Sequence, residues 1–325
     1  MKTTRNRPQA EHRDHHQEIT DRIVAALESG TKPWQQPWNN AKTGKPTLPV
    51  NATTGLPYHG INVLVLAMSA FAFGNGDPRF CIYKQAAERG WQVRKSERGT
   101  LIFFFKQMDV TDRDGPADGD GRTKRIPMLR AYTVFNCAQI DGIAPWVKPD
   151  VAEAAWERPE AADIIVRNSG ARMQVGGSGA FYSPKLDVVC HPPLSSFSSP
   201  EAFSATIMHE LGHWTSHESR LNRDISTKFG SQKYAQEELR AELASVFVGA
   251  TLGLPCDTPN HADYLASWID VLKGDKREIF RAASEAQKIA NYLLAFHPDY
   301  ARAQNDGEDR LDGGDHGREL MRAAA

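Results

Sequence analysis

The stretch "ATIMHELGHWTSH", residues 205–217, sets His209 and His213 four residues apart with Glu210 beside the first. On a helix, residues i and i+4 share a face one turn apart, so both imidazoles can reach one divalent ion while Glu210 approaches a water on it. This HExxH arrangement suits metal-assisted hydrolysis. The ion acidifies the water and polarises a carbonyl, and the carboxylate takes the proton and passes it to the leaving amine. Such a site needs a third protein ligand and an open fourth position. His217 lies one turn further along, and three ligands stacked over two turns span about 12 Å, too far for one ion. One class of zinc hydrolase places Gly and His three and six residues past the second histidine, but Ser216 and Ser219 stand there. His217 is therefore read as a residue near the helix C-terminus, favourable to the helix dipole.

A better third ligand lies in "YAQEELRAELASVF", residues 234–247. Glu238 and Glu242 share a helical face, and Ala241 is small enough for two helices to approach closely. Glu238 would complete a His, His, Glu set, and Glu242 would orient a ligand histidine through its other ring nitrogen. Glu237 points about 100° away, which favours Glu238 and leaves its neighbour open. Tyr182 and Tyr234 are the two candidates for steadying an oxyanion. Zinc is the default for such a set; a carboxylate ligand also admits manganese or another divalent ion.

These residues need elements to hold them. Ser199 as N-cap, Pro200 at the first helical position and Glu201 in the first turn predict a helix over 200–217. "QKYAQEELRAELASVFVGATLG" predicts a second, ending against Gly253, and two more follow between 261 and 296. "ARMQVGGSGAFYSPKLDVVCHPP" reads as short strands of a small sheet over about 172–190, preceded by a helix ending at Gly170. In the first half, "EITDRIVAALESG" puts Ile19, Ile23, Val24 and Leu27 on one helical face. "INVLVLAMSAFAFG" is helix or strand, "KQAAERG" a short helix, and "TLIFFFKQMDV" and "RAYTVFNCAQI" are strands around a polar hairpin tip. The proline-bearing stretch after residue 140 marks a boundary. The organisation read from this is a disordered tail (1–17), a first domain (18–145), a linker (146–160), a second domain (161–298) and a flexible tail (299–325). Both domains are expected to be α+β.

No apolar run approaches the eighteen residues of a membrane span, and the N-terminal residues lack the apolar segment of a secretory signal, so the expectation is a cytoplasmic protein without membrane contact. Cys81, Cys137, Cys190 and Cys256 form no CxxC pair, which argues against a cysteine metal site and a disulfide framework. The net charge of −1 hides an asymmetry: residues 1–140 carry 20 Lys/Arg against 13 Asp/Glu, and the remainder carries 19 against 27. One half could meet a polyanion and the other would be repelled by it.

The phrases "YSPKLDVVCHPPLSSFSSPEAFSATIMHELGHWTSHESRLNRD" and "YAQEELRAELASVFVG" resemble the zincin-like metallopeptidase domain of ArdC-type antirestriction proteins. "PWQQPWN", "NATTGLPYHGINVLVL", "GWQVRKSERGT" and "YTVFNCAQIDGI" are similar to the N-terminal domain that this family shares with TraC-type plasmid primases. The resemblance covers about residues 18–295. It implies an N-terminal domain that binds single-stranded DNA, a metallopeptidase-like C-terminal domain, and a role in shielding incoming conjugative plasmid DNA from restriction. Residue by residue it makes His209, His213 and Glu238 metal ligands and Glu210 the catalytic base. Glu242 stands where many related zincins have Asp.

Single strands are held by cations along the phosphates and by aromatic faces that stack bases. Lys32, Trp34 and Trp38 on one loop, Lys84, Arg94, Lys95 and Arg98 around Trp91, and Asn51, Tyr58 and Asn62 are the candidate DNA contacts. Three readings stay open: a DNA-binding metallopeptidase, a DNA-binding protein with a structural or inactive metal site that protects by occupancy, and a peptidase aimed at a host restriction component.

Overall fold

The computed structural model describes residues 14–34, 48–69, 77–111, 123–146, 157–225, 228, 230–254 and 262–301. Helix α1 (His15–Glu28) starts at Asp14, whose carboxylate accepts from the Gln17 backbone N–H. The predicted tail of residues 1–17 is thus corrected at its end: residues 15–17 form a first helical turn because an N-cap precedes them. Ile19, Ile23, Val24 and Leu27 are all buried, as their spacing predicts.

The apolar run after residue 60 resolves as helix α2 (Ile61–Ala67), buried along its whole length. That explains its lack of periodicity, since an element covered on every side needs no polar face. Strands β1 (Val50–Asn51), β2 (Arg79–Ile82), β4 (Thr100–Thr111) and β5 (Thr123–Asn136) form one sheet in the order β1-β2-β5-β4, antiparallel except for β1 with β2. Helix α3 (Tyr83–Glu88) follows β2, and β3 (Gln92–Val93) pairs antiparallel with β6 (Ile140–Asp141). The hairpin tip predicted between β4 and β5 lies outside the described residues, as does most of the predicted linker. Residues 157–160 of that linker form the first turn of helix α4 (Glu157–Ser169).

Beyond α4, β7 (Arg172–Val175), β8 (Phe181–Ser183) and β9 (Val188–His191) make a sheet ordered β7-β9-β8, parallel between β7 and β9 and antiparallel between β8 and β9. Helix α5 (Pro200–Trp214) begins at the Ser199 cap, whose side chain accepts from the Ala202 N–H. It ends three residues earlier than predicted. The chain turns at Thr215, whose hydroxyl donates to the Gly212 carbonyl, and His217 lies past the helix with its Nδ1 against Ser219. Helix α6 (Gln232–Leu252) closes on Gly253 in the left-handed conformation, φ +70°. Helices α7 (Ala262–Gly274) and α8 (Glu278–Leu294) complete the fold. The predicted flexible tail from residue 299 is corrected at its start, because the Tyr300 hydroxyl donates to the Thr251 carbonyl.

The two metal-site helices approach closely at Gly212. A Cβ there would lie 3.4 Å from Ala241 Cα and 3.5 Å from its Cβ, so small residues on both sides set the separation. The core does not divide at the linker. One buried cluster holds α1 (Ile23, Leu27), α2 (Val63, Leu64), α5 (Ile207, Leu211), α6 (Leu239, Leu243), α7 (Trp268, Leu272) and α8 (Ile289, Leu293). The first helix of the chain packs on α7, far along the sequence. At about 25 cal/mol per Å² of apolar surface, this shared burial ties the two halves together.

Candidate metal centre

On α5, His209 and His213 face each other with Nε2 atoms 3.2 Å apart. Glu238 of α6 places Oε2 at 3.5 Å from His209 Nε2 and Oε1 at 3.6 Å from His213 Nε2. Donors about 2.0–2.2 Å from one ion at tetrahedral angles stand about 3.3–3.6 Å from one another. The three side chains therefore fit a divalent ion, and they are the one such group of His, Cys, Asp and Glu among the described residues. Glu210 lines the adjoining pocket, about 230 Å³ in volume, with Phe181, Tyr182, Ile225, Tyr234 and Tyr264.

Charge in this dry interior is balanced by pairing. Burial opposes a charged His213, yet the carboxylates of Glu237, Glu238 and Glu210 outweigh it and raise its pKa to about 10. Burial likewise opposes ionisation of Glu238, and the two imidazoles hold its carboxyl well below the usual range.

Behind the ligands lie two similar supports. Glu242 Oε2 stands 3.9 Å from His209 Nδ1, the place predicted for it. Glu237 Oε1, on the residue left open in the sequence, stands 3.4 Å from His213 Nδ1, within hydrogen-bond distance, whereas Glu242 faces His209 at ion-pair distance. Each carboxylate is held by a cation. Arg223 donates to Glu237 Oε1 at 2.8 Å and also to the Gly212 carbonyl and the Thr215 hydroxyl. Lys32 donates to Glu242 Oε1 at 3.0 Å, and the Trp34 indole N–H points at the same oxygen from 3.5 Å. Arg223, the Lys32 contact and the support that Glu237 gives His213 were missed by sequence reasoning. The single available signal was that Glu237 and Glu238 are adjacent, so that one helix turn can face both histidines.

The two tyrosines separate. The Tyr182 hydroxyl donates to Asp187 at 2.8 Å and accepts from Arg220 at 3.2 Å, which corrects its reading as an oxyanion donor: its one proton is engaged elsewhere. Tyr234 faces Tyr264, hydroxyl to hydroxyl, at 3.0 Å, and burial, Tyr264 and Glu238 together raise its pKa well above the usual phenol range. It keeps its proton.

Several predicted DNA contacts are corrected by burial. Lys32 and Trp34 lie in the core beside α6 and α7, with Lys32 over the Trp268 ring and Trp34 fully buried, so neither presents a face to a strand. Tyr58 is buried with its hydroxyl toward the Phe80 carbonyl. Asn62 exchanges two hydrogen bonds with the Phe103 backbone, joining α2 to β4 as a strand neighbour would. Asn51 caps a turn, accepting from the Thr53 and Thr54 backbone while its amide donates to Gln85. Arg94 is exposed and bonds Glu97, Asp141 and the Ala138 carbonyl. Lys84, Lys95 and Arg98 are exposed. Trp38 lies outside the described residues.

Comparison with known proteins accounts for both halves. Residues 13–135 match the family model described as the N-terminal domain of anti-restriction factor ArdC, and residues 160–285 match the one described as zincin-like metallopeptidase. The crystal structure of metal-free antirestriction ArdC protein from R388 plasmid superposes with a TM-score of 0.74 at 38% identity, covering 88% of this chain and 99% of that one. Its Mn(II)-bound structure gives 0.71 at 37% identity with the same coverage. A DNA primase TraC from Escherichia coli is 42% identical over 294 residues, which are 86% of this chain and 27% of the primase, so the chain spans about a quarter of that relative. An uncharacterized Sinorhizobium fredii protein, y4eC, is 39% identical over 301 residues, 90% of this chain and 96% of that protein. No helix among the described residues is long and apolar enough to cross a membrane.

Proposed function

The chain belongs to the ArdC family of antirestriction proteins, and on that premise we propose that it binds single-stranded DNA and carries a metal-dependent peptidase centre that protects incoming plasmid DNA. The observation that carries the reading is the convergence of His209, His213 and Glu238 at mutual distances of 3.2–3.6 Å with Glu210 beside them on the pocket wall. A bound divalent ion supplies an acidified water and a Lewis acid for a carbonyl. Zinc suits the ligand set, and the Mn(II)-bound relative supports manganese as an alternative.

The chain's own groups do the rest. Glu210 accepts a proton from a water in the pocket and returns it to the leaving nitrogen. Tyr234, which lines the pocket, turns its hydroxyl from Tyr264 to donate a hydrogen bond to the developing oxyanion. Phe181, Ile225 and Tyr264 give the pocket an apolar wall for a peptide side chain. On the other half, Lys84, Lys95 and Arg98 offer cations to phosphates. The match to TraC primases supports DNA as the polyanion.

Glu210→Gln tests the chemistry, since it keeps the shape and removes the base. Metal content and DNA affinity are expected to stay at wild-type levels while protection of transferred DNA falls at least 10²-fold, the lower end of general-base contributions being on the order of 10². Protection that survives this change would assign it to occupancy of the DNA.

A further inference from the structure

The Lys32 ammonium lies in the fold's interior, 8% exposed, although Lys84 and Lys95 of the same half face water. It sits four residues past the end of α1 and 210 residues from its partner, Glu242. Glu242 is completely buried, and its two oxygens face different groups. Oε1 takes Lys32 at 3.0 Å and Trp34 Nε1 at 3.5 Å, and Oε2 faces His209 Nδ1 at 3.9 Å.

We propose that Lys32 is a positioning residue of the metal centre: it fixes Glu242 so that the carboxylate orients His209, and the N-terminal half thereby builds part of a site otherwise carried by the C-terminal half. The inference rests on the reading of His209, His213 and Glu238 as metal ligands. The matching support on the other ligand makes the role specific. His213, Glu237 and Arg223 repeat the order imidazole, carboxylate, cation, with Arg223 only fourteen residues from Glu237 in sequence. Glu237 meets His213 Nδ1 at hydrogen-bond distance and Glu242 faces His209 Nδ1 at ion-pair distance, so that each imidazole keeps Nε2 for the ion. Each carboxylate is bonded to one cation, a distant lysine for Glu242 and a nearby arginine for Glu237.

Two effects of Lys32 on metal affinity have opposite sign. Its positive charge repels a divalent ion through the protein, whereas its hold on Glu242 keeps His209 aimed at the ion. The pairing with Glu242 offsets most of the first effect, so orientation dominates. Partners behind a metal ligand typically change affinity by about 10–100-fold when removed.

The test is a competition titration of the full-length protein with Zn(II) against a chromophoric chelator, alongside the visible spectrum of the Co(II)-loaded protein. Wild type should bind about one equivalent. Lys32→Met should bind about 10–100-fold more weakly, and its Co(II) bands should shift in the same direction as those of Glu242→Gln. The double variant Lys32→Met/Glu242→Gln should match Glu242→Gln alone, because the lysine acts only through the carboxylate. Melting temperatures of the metal-free proteins separate this from unfolding. If Lys32→Met fails to fold, Lys32→Gln keeps a donor without the charge and should show the same spectral shift with a loss of at least several-fold. A folded Lys32 variant with affinity equal to or above wild type would overturn the proposal while leaving the metal site intact. So would a double variant whose loss is the product of the two single losses. A wild type that binds no metal would overturn both.

Discussion

The metal centre and the basic surface of the N-terminal half were read from the same sequence, and they were not equally legible. At the centre the ligands and the groups behind them meet defined partners: histidines, carboxylates and cations stand at 2.8–3.9 Å. On the basic surface, Lys84, Lys95 and Arg98 extend into solvent, and Lys84 has only Glu88 one turn away at 3.7 Å. A buried site is specified by geometry because an unpaired charge there is costly. A surface that attracts phosphates needs only a local excess of cations, and many arrangements of them serve.

If that contrast is right, removing a ligand at the centre should act all-or-none. The largest effect is expected from His213→Ala, which removes one of three ligands. Metal content by elemental analysis should fall from about one equivalent in wild type to none above background, while DNA affinity stays within about twofold, as surface cations are untouched. A variant that keeps its metal would show that another group completes the set and would break the contrast at its strongest point.

A smaller loss separates orientation from ligation. Arg223→Met removes the cation behind Glu237, and the structure gives that arginine two further bonds, to Gly212 and Thr215 at the turn that ends α5. The expected result is metal affinity reduced about 10–100-fold, read by chelator competition, with stoichiometry unchanged. Glu237→Gln should give the same result with less effect on melting temperature, because the turn keeps its arginine. Affinity unchanged in Glu237→Gln would leave Arg223 a purely structural role.

These outcomes bear on what the sequence could reveal. The i, i+4 histidines, the Ser199 cap and the Gly253 stop are local features, and each appears in the fold where residue spacing predicted it. Glu238 and Glu242 were legible for the same reason, because one helical face constrains both. Lys32 and Trp34 were misplaced because their loop composition, Pro, Lys and Trp, looks identical whether the loop lies on water or folds under α6. Only the tertiary contact with Glu242, 210 residues away, distinguishes the two. Asn62 was misread similarly: a polar side chain inside an apolar run suggested a ligand contact, whereas it satisfies the backbone of Phe103 at 2.7 and 2.8 Å. A buried polar residue must find a partner, and sequence does not say whether that partner is a ligand or the chain itself.

The basic surface should respond by degrees, and salt is the variable that measures it. Each phosphate neutralised on a single strand contributes about 0.7 to the slope of log affinity against log salt. Replacing Lys84 and Lys95 together by Ala should therefore lower that slope by about 1.4 if both contact phosphates, with metal content unchanged. The control is Lys288→Ala on α8, a lysine as exposed as Lys84, 62% against 63%, but set in the half where acidic residues outnumber basic ones. Its slope should equal that of wild type, since phosphates are repelled from that face. Fluorescence anisotropy of a labelled oligonucleotide at several salt concentrations reads all three proteins. An equal decrease in the control would mean that charge asymmetry does not locate the strand, and the DNA path would then have to be sought across both halves. A decrease confined to the double variant would place the strand beside α3 and the turn after β3, where the lysines are free to meet phosphates because they face water.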